Sequence, residues 1–163
     1  MAAKAKKLQT FLWFDGQAEE AAKFYCSVFK GAKLGDTMRW PQGMEKAGQI
    51  LTVEFRAFGQ DFVCLDGGPQ FKFNESVSFS IPCETQKEID YYWARLLEGG
   101  GKESACGWLK DRYGVSWQVE PPILLDLIAG KDQAKAKRVM EAMMKMVKID
   151  IAALEAAAKG GKR

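Results

Sequence analysis

The sequence predicts an α+β protein that contains two copies of one strand–helix–strands module, followed by a helical extension at the carboxyl end. Three observations predict this fold class. Short apolar, aromatic-rich segments alternate with stretches of helical periodicity. The two modules match at a constant spacing of 68 residues, and helical periodicity alone continues after Pro122. A chain of 163 residues with 47% hydrophobic content is long enough for one domain with a substantial core.

The first module is expected over residues 8–67. Residues 8–14, LQTFLWF, are short, apolar and aromatic, which is typical of a buried strand. A helix follows up to Gly31, with Asp15 as its predicted N-cap and apolar residues at helical spacing. The remaining pattern predicts three strands and one turn, namely strands at 33–40, 50–58 and 61–66 and the turn at 41–48.

The second module, residues 76–121, repeats this order after a Gly/Pro loop at 67–75. Residues 76–83 alternate as a strand, with Val77, Phe79 and Ile81 on one face. Thr85 and Glu88 form a capping box that opens a helix over about 86–98, which ends at the triple glycine 99–101. Two or three short strands follow within KESACGWLKD and GVSWQVEP.

The two modules align without a gap when residue i is set against residue i+68. The aligned pairs are Phe11 and Phe79, Trp13 and Ile81, Glu20 and Glu88, Phe24 and Tyr92, Tyr25 and Trp93, Val28 and Leu96, Phe29 and Leu97, and Gly31 and Gly99. Chance alignment of two amphipathic helices is the alternative. The shared apolar phase and the shared stop favour an internal duplication.

The extension, residues 122–158, is expected to form three helices, within ILLDLIAG, KDQAKAKRVMEAMMKMVK and IDIAALEAAAK. In the second of these, Val139, Met143 and Met146 or Val147 would share one face. A Met-rich face of this kind packs on a sheet or on a partner more often than on a cofactor. Because it offers apolar surface to bury, we expect a homodimer.

Composition restricts the chemistry. The chain has no histidine, which is the commonest metal ligand and the usual general base near neutral pH. This excludes Ser-His-Asp and Cys-His catalysis, HExxH zinc sites and two-His-one-carboxylate iron sites. Catalysis would have to use carboxylates, Lys, Tyr, Cys or backbone groups. The four cysteines form no CxxC pair, so we expect free, buried thiols at Cys26, Cys64, Cys83 and Cys106.

The net charge of +3 comes from two basic tails, residues 1–7 and 159–163. Without them the chain is slightly acidic, so we expect no nucleic-acid partner, which would require a clustered basic face. No apolar run approaches the length of a membrane-spanning helix, and the amino terminus lacks the apolar region of a secretory signal. We therefore expect a cytoplasmic protein with no membrane partner.

Four stretches together resemble the vicinal oxygen chelate superfamily, the glyoxalase/bleomycin-resistance/dioxygenase fold. They are FLWFDGQAEEAAKFYCSVF at 11–29, GGPQFKF at 67–73, GWLKDRYGVSWQVEP at 107–121 and MKMVKIDIAALEAA at 144–157. The similarity is to the PhnB-like branch, whose members often carry the label 3-demethylubiquinone-9 3-methyltransferase. The resemblance implies that residues 8–121 form one domain of tandem βαβββ modules whose strands curve into a cup.

The resemblance also implies positions for a metal ion, near Thr10 or Phe11, Val77 or Phe79, Gln118, and Glu54 or Asp66. Phe and Val cannot bind a cation, and Gln118 stands where relatives have a glutamate. One carboxylate and one amide leave a divalent ion undercoordinated, so we expect no bound metal. Nor does the segment that links strand and helix at 14–17, with its single glycine, match the glycine-rich turn of a Rossmann-type methyltransferase, so we expect no cofactor.

Seven side chains are candidates for binding a small polar or aromatic ligand through stacking, hydrogen bonds or charge: Trp13, Trp40, Phe71, Phe73, Trp108, Lys110 and Gln118. For each tryptophan the alternative is the core. For Lys110, Asp111 and Arg112, a solvated turn is favoured over an anion site. The favoured function is metal-independent binding. The alternatives are an enzyme, with Glu54 or Asp66 as base and Lys110 or Arg112 holding an anion, and the methyltransferase of the label.

Overall fold

The computed structural model describes residues 8–160, and the chain divides into two compact units, Met1–Lys72 and Phe73–Arg163. Each unit is described by itself. The basic tail predicted at 1–7 and the last three residues, 161–163, lie outside the described residues. The basic tail predicted at 159–163 begins later than expected. Lys159 is the last residue of a helix, and Gly160 caps that helix in the left-handed conformation, with φ of 68°.

The first unit is a four-stranded sheet with one helix. Its elements are β1 (Thr10–Phe14), α1 (Ala18–Val28), β2 (Lys33–Arg39), β3 (Ile50–Ala57) and β4 (Gln60–Asp66). The strand order is β1-β4-β3-β2, with β1 and β4 parallel and the other neighbours antiparallel. Helix α1 buries one face, and the core it forms with the sheet contains Leu12, Phe14, Tyr25, Val53 and Phe55.

The predicted N-cap of α1 is wrong. The capping position is Gln17, which makes no side-chain cap hydrogen bond, rather than Asp15. Gly16 between them has φ of 79°, so the chain turns once more before the helix begins. The free backbone N–H of Ala18 donates instead to the carboxylate Oδ1 of Asp66, at 2.9 Å. A carboxylate at the end of β4 thus takes over the role of a local cap.

The second unit repeats the same connectivity. Its elements are β5 (Phe79–Pro82), α2 (Gln86–Leu97), β6 (Lys102–Glu103), β7 (Trp108–Lys110) and β8 (Ser116–Glu120). The order β5-β8-β7-β6, with one parallel pair between β5 and β8, is the order of the first sheet. The predicted capping box is present, because Thr85 accepts a hydrogen bond from the backbone N–H of Glu88 at 3.2 Å. The protein therefore consists of tandem βαβββ modules.

The spacing of 68 residues holds for the helices but not for the first strands. Burial equates Ala21, Tyr25 and Val28 of α1 with Ile89, Trp93 and Leu96 of α2, all at a spacing of 68. In the strands, the buried pair Leu12 and Phe14 matches the buried pair Ile81 and Cys83, at a spacing of 69. The predicted pairing of Trp13 with Ile81 is therefore wrong by one residue, because one residue fewer separates the buried pair from the helix in the second module. Such a slip moves every side chain to the other face of the strand.

The turn between β7 and β8 is organised by a buried carboxylate, so the predicted solvated turn is wrong. Asp111 is 3% exposed. Its Oδ1 accepts hydrogen bonds from the backbone N–H groups of Tyr113 (2.9 Å) and Val115 (3.0 Å), and its Oδ2 accepts from Trp117 Nε1 (2.9 Å). Arg112 donates to the carbonyl of Glu98 at 2.9 Å, at the end of α2. The charges of this segment thus hold the hairpin and the helix end.

Three helices form the extension: α3 (Ile123–Ile128), α4 (Gln133–Met143) and α5 (Ile151–Lys159). Helix α4 ends earlier than predicted, so Met146 and Val147 do not extend its apolar face. Their carbonyls accept hydrogen bonds from the backbone of Cys106 and Gly107, both at 2.8 Å. The extension therefore packs into the second unit, and Ile149 is fully buried there.

Helix α2 holds the same segment from the other side. The side-chain amide of Gln86 donates to the carbonyl of Ile149 and accepts from the N–H of Ile151, both at 3.0 Å. Lys148 forms an ion pair with Asp90 at 2.6 Å. Together these bonds fix the path of the chain between α4 and α5.

All four cysteines are free thiols, as predicted. Cys64 and Cys83 are buried, whereas Cys26 and Cys106 are partly exposed. Burial raises the pKa of the Cys64 thiol well above its usual range, and it also raises that of Cys26. Within residues 8–160, no helix has both the length and the apolar character needed to cross a membrane.

Candidate functional site

The second sheet has one apolar face and one polar face. Trp117, Val119 and Leu109 are buried on the face that packs against α2. The opposite face, here called the polar face, carries Ser80, Trp108, Lys110, Ser116, Gln118 and Glu120, since residues alternate along each strand. The predicted alternation of β8, with Ser116 and Gln118 on one face and Trp117 and Val119 on the other, agrees with the strand register, in which Ser116 lies opposite Lys110 and Trp117 lies opposite Leu109.

A cross-strand row on the polar face gathers two lysines and a serine. Lys102 of β6 lies opposite Lys110 of β7, which lies opposite Ser116 of β8. Opposite side chains on antiparallel strands have Cβ atoms about 4.5–5.5 Å apart, so these groups reach a common volume. A cavity of about 230 Å³ lies over this row and is lined by Glu75, Lys102, Glu103, Ser104, Trp108, Leu109, Lys110 and Ser116.

The hydroxyl of Ser116 is unusual in this cavity. Ser116 is 1% exposed, and its Oγ has no hydrogen-bond partner in the part of the chain that the structure describes. A buried polar atom without a partner has a desolvation cost of about 1–3 kcal/mol, and such atoms are rare in folded proteins. Ser116 lies opposite Lys110 in the strand register, and it lines the cavity.

The ammonium group of Lys110 forms an ion pair with Glu75, in the segment that precedes β5. The hydrogen bond from Lys110 lowers the pKa of the Glu75 carboxyl below its usual value. The Glu75 side chain is 64% exposed, so this ion pair lies at the rim of the cavity. A carboxylate of the chain itself therefore already contacts one lysine of the row, Lys110.

Gln118 lies in the next row of the polar face, between Ser80 of β5 and Trp108 of β7. Its amide nitrogen donates to the hydroxyl of Ser78 at 2.8 Å, and Ser80 donates to Glu120 at 2.8 Å. Phe73 lies in the same unit, and a Cβ added to Gly114 would come within 3.9 Å of it. The second unit thus brings Trp108, Lys110 and Gln118 together on one face.

The first unit has a larger cavity with a mostly acidic lining. It measures about 410 Å³ and is lined by Asp15, Gly16, Glu19, Glu20, Trp40, Lys46, Gln49, Ile50, Asp66 and Gly68. Four of these side chains are carboxylates near the amino end of α1, where acids stabilise the helix dipole. Asp66 already serves α1 through Ala18. Trp40 and Asp66 thus line the same cavity. The carboxylates of this cavity can be explained by their stabilising effect on α1.

Trp13 and Phe71 also come together in the first unit, with ring centroids 4.9 Å apart in an edge-on arrangement. The indole Nε1 of Trp13 donates to the carbonyl of Gly68 at 2.7 Å, and the ring packs so closely on Gly67 that a Cβ there would come within 2.2 Å of it. Trp13 therefore holds the loop after β4. Glu54 of β3 is partly exposed and pairs in register with Val63, on the face away from α1.

Of the residues that line the cavity in the second unit, the sequence predicts Trp108 and Lys110 as binding groups, but it does not predict Glu75, Lys102 or Ser116 in that role. The alternation of VSWQV does place Ser116 on the face of Gln118, which is a usable signal. The position of Lys102 opposite Lys110 depends on the register of a two-residue strand, and the hydrophobic pattern does not specify it.

The residues at the implied metal positions do not fit a divalent ion. The amide of Gln118 is hydrogen-bonded to Ser78, and Phe11 and Phe79 have no donor atoms. Within residues 8–160 there is no group of three or more His, Cys, Asp or Glu side chains arranged to hold a metal ion. The donor set is therefore poor for Mg²⁺, Mn²⁺ or Zn²⁺, which require several oxygen, nitrogen or sulfur ligands.

Two βαβββ modules in tandem define the glyoxalase/bleomycin-resistance fold of the vicinal oxygen chelate superfamily. The sequence profile of the family described as 3-demethylubiquinone-9 3-methyltransferase matches residues 6–120. A PhnB protein from Bacillus cereus, which carries that description as a provisional label, is 34% identical, with a TM-score of 0.63 over 71% of this chain and 99% of that one. The chain belongs to this family, in its PhnB-like branch.

Two further solved structures share the fold at low identity. Protein PA1353 from Pseudomonas aeruginosa is 20% identical, with a TM-score of 0.61 over 72% of this chain and 98% of its own. The fosfomycin resistance protein FosX from Mesorhizobium loti is 10% identical, with a TM-score of 0.55 over 78% and 100%. At these identities the likeness extends to the fold alone. Comparison with the curated proteins gives no match.

Proposed function

We propose that the protein binds a small polar or aromatic molecule on the polar face of its second sheet, without a metal ion. The observation that carries this proposal is the unpartnered, buried hydroxyl of Ser116 at the wall of a cavity that also contains the indole of Trp108. A ligand atom would satisfy the hydroxyl, and the indole would supply apolar contact area and an N–H donor.

The size of the cavity limits the ligand. Ligand pockets for drug-sized molecules commonly measure about 300–1,000 Å³. A cavity of about 230 Å³ suits a single ring or a short polar chain. The larger cavity of the first unit is a weaker candidate because its carboxylates have a structural role at the start of α1.

The methyltransferase activity in the family description is not part of this proposal. Each sheet contains only one parallel pair of strands, β1 with β4 and β5 with β8. A Rossmann-type methyltransferase binds its cofactor at a glycine-rich turn of a doubly wound parallel sheet. Isothermal titration of the protein with S-adenosylmethionine at millimolar concentration should give no binding heat, and a saturable signal would restore that activity as a candidate.

The proposal is tested by NMR titration of the ¹⁵N-labelled full chain in the presence of EDTA. Benzamide, a small neutral aromatic amide, should shift the indole N–H signal of Trp108 and the backbone signals of Ser116 and Gln118. Trp108→Leu should weaken this binding by about tenfold, since stacking and polar contacts of an aromatic side chain are worth about 1–1.5 kcal/mol.

The matched control is Trp40→Leu in the first unit, which should leave the shifts on the second sheet unchanged. Addition of Mn²⁺ or Mg²⁺ after removal of EDTA should not alter the affinity. The proposal is wrong if small aromatic probes shift only residues of the first unit, or if they bind only when a divalent ion is added.

A further inference from the structure

We propose that the ligand of the polar face is a small organic acid, and that Glu75 holds the place of its carboxylate in the free protein. This inference rests on the proposed function and adds the chemical class of the ligand and the group of the chain that competes with it for Lys110. It depends on three observations in the second unit: the row of lysines, the unpartnered serine and the ion pair of Glu75.

The row of Lys102 and Lys110 calls for an anion. Like charges directly opposite each other on neighbouring strands destabilise a sheet. Here Lys102 and Lys110 lie directly opposite each other on β6 and β7, with Ser116 next in the row. A negative group above the row would relieve the repulsion. Glu103, which also lines the cavity, pairs in register with Leu109 and accepts a hydrogen bond from Trp93 Nε1 at 2.9 Å, so its carboxylate is already used elsewhere.

The unpartnered Ser116 hydroxyl points to the same class. A carboxylate only accepts hydrogen bonds and has two oxygens, so one oxygen can bind Lys110 while the other binds Ser116. Hydrogen bonds of this charge-assisted kind are shorter and stronger than neutral ones. A ligand that satisfies both groups removes the only buried unpartnered side-chain atom identified within residues 8–160.

Glu75 already occupies part of this arrangement. Its carboxylate contacts Lys110, yet Ser116 remains without a partner, so the chain's own carboxylate satisfies only one of the two groups. The Glu75 side chain is 64% exposed, and exposed ion pairs contribute little to stability. A free carboxylate that reaches both Lys110 and Ser116 would therefore displace Glu75 from the lysine.

The rest of the ligand would lie along Trp108. Trp108 is two residues before Lys110 on β7, so its side chain lies on the same face, and it lines the same cavity. The indole offers a flat apolar surface beside the anion position. The geometry therefore suits an aromatic or short-chain carboxylic acid better than a bare inorganic anion.

The test compares benzoate with its neutral isostere benzamide and with inorganic phosphate, using NMR titration of the full chain. Benzoate should bind more tightly than benzamide, and phosphate should compete poorly with it. Glu75→Gln removes the internal competitor, so the Kd for benzoate should fall by about two- to fivefold, which is the range of an exposed ion pair. The Kd for benzamide should not change.

Ser116→Ala separates a binding role from a structural one. It should raise the Kd for benzoate by about fivefold, the effect of one hydrogen bond. Because it removes a hydroxyl without a partner, the urea midpoint should stay the same or rise. The matched control for Glu75→Gln is Glu98→Gln, because it breaks a comparable exposed ion pair, that of Glu98 with Arg95. It should leave the Kd for benzoate unchanged.

The outcomes distinguish this inference from the proposed function. If neither benzoate nor benzamide shifts the Trp108 indole, the proposed function itself fails. If both bind equally and Glu75→Gln has no effect, binding at the polar face stands and the organic acid is wrong. Competition by phosphate as strong as that by benzoate would also overturn the inference, as would a loss of stability in Ser116→Ala.

Discussion

Replacing Asp111 by asparagine should lower the free energy of unfolding by about 2–4 kcal/mol. The carboxylate is buried and accepts three hydrogen bonds, two at Oδ1 from the backbone and one at Oδ2 from Trp117. Asparagine can keep both backbone bonds at its single oxygen. Its amide group then faces the indole N–H, so two donors oppose each other in a buried site. The loss combines one charge-assisted hydrogen bond, at about 1.5–3 kcal/mol, with an unsatisfied buried donor, at about 1–3 kcal/mol, and the two terms overlap.

Urea unfolding followed by far-ultraviolet circular dichroism measures this change, with the m-value as a check that both proteins unfold in the same way. Asp126→Asn is the matched control, since Asp126 is exposed on α3, and it should stay within about 0.5 kcal/mol of the parent. The hydrogen bond between Asp111 and Trp117 can also be tested by a double-mutant cycle. Trp117→Phe removes the indole donor, so the double variant should be more stable than the sum of the single changes predicts, by about 1 kcal/mol or more.

An unfolding free energy of Asp111→Asn within 0.5 kcal/mol of the parent, or strict additivity with Trp117→Phe, would refute the reasoning. In either case the carboxylate would not hold the hairpin, and the solvated turn expected from the sequence would be the better description. The threshold is the usual range of a neutral surface substitution, about 0.5 kcal/mol.

Three further predictions concern the extension and the thiols. Ile149→Ala should lower the unfolding free energy by about 2–4 kcal/mol, because it empties a fully buried site, and a urea midpoint equal to the parent's would contradict the packing. Lys148 and, to a smaller extent, Gln86 lower the pKa of Asp90, so the stability from this contact should be complete above the ordinary value of 3.8 and disappear as the pH falls through the lowered value. Asp90→Asn should remove that part of the difference in urea midpoint between pH 6 and pH 3, and an unchanged pH dependence would show that the ion pair does not form. Ellman's reagent should modify Cys26 and Cys106 before Cys64 and Cys83, and peptide mapping that finds Cys64 or Cys83 modified first would contradict the burial.

The elements that the sequence predicts well are those fixed by local chemistry. Strand β1 and helix α1 follow from an apolar run and a helical period, and helix α2 follows from its capping box at Thr85. Each of these signals lies within a few neighbouring residues, so no knowledge of the tertiary structure is needed. The two sheets have the same strand order, which confirms the α+β class and the tandem modules. This was predictable because the same local pattern occurs twice in the sequence.

The features that the sequence does not predict depend on partners far away along the chain. The carboxylate at the start of α1 comes from Asp66, at the end of β4, and not from the adjacent Asp15. The path of residues 146–149 is set by the backbone of Cys106 and Gly107 and by Gln86. No residue pattern within the segment identifies these partners, so helical periodicity alone predicts a helix that continues past Met143.

The candidate site was predictable only in part, because strand register decides it. Trp108, Lys110 and Gln118 were predicted as binding groups, and the structure brings these three to one face. Trp13, Trp40 and Phe71 lie in the first unit, where Trp13 and Phe71 contact each other. The binding role of the seven predicted residues stays a prediction, as do a role of Glu54 or Asp66 as a base, the homodimer and the cytoplasmic location.

The hydrogen bonds between the extension and Gly107 mean that a family boundary and a folding boundary differ in this protein. The family profile ends at residue 120, and a fragment cut there would appear complete by comparison with its relatives. It would lack Ile149, which sits so close to Gly107 that a single added methyl would come within 2.8 Å of it, and the amide of Gln86 would lose both backbone partners. Anyone shortening this protein for crystals or spectra should therefore keep the residues through α5, even though most of the family's shared pattern ends well before them.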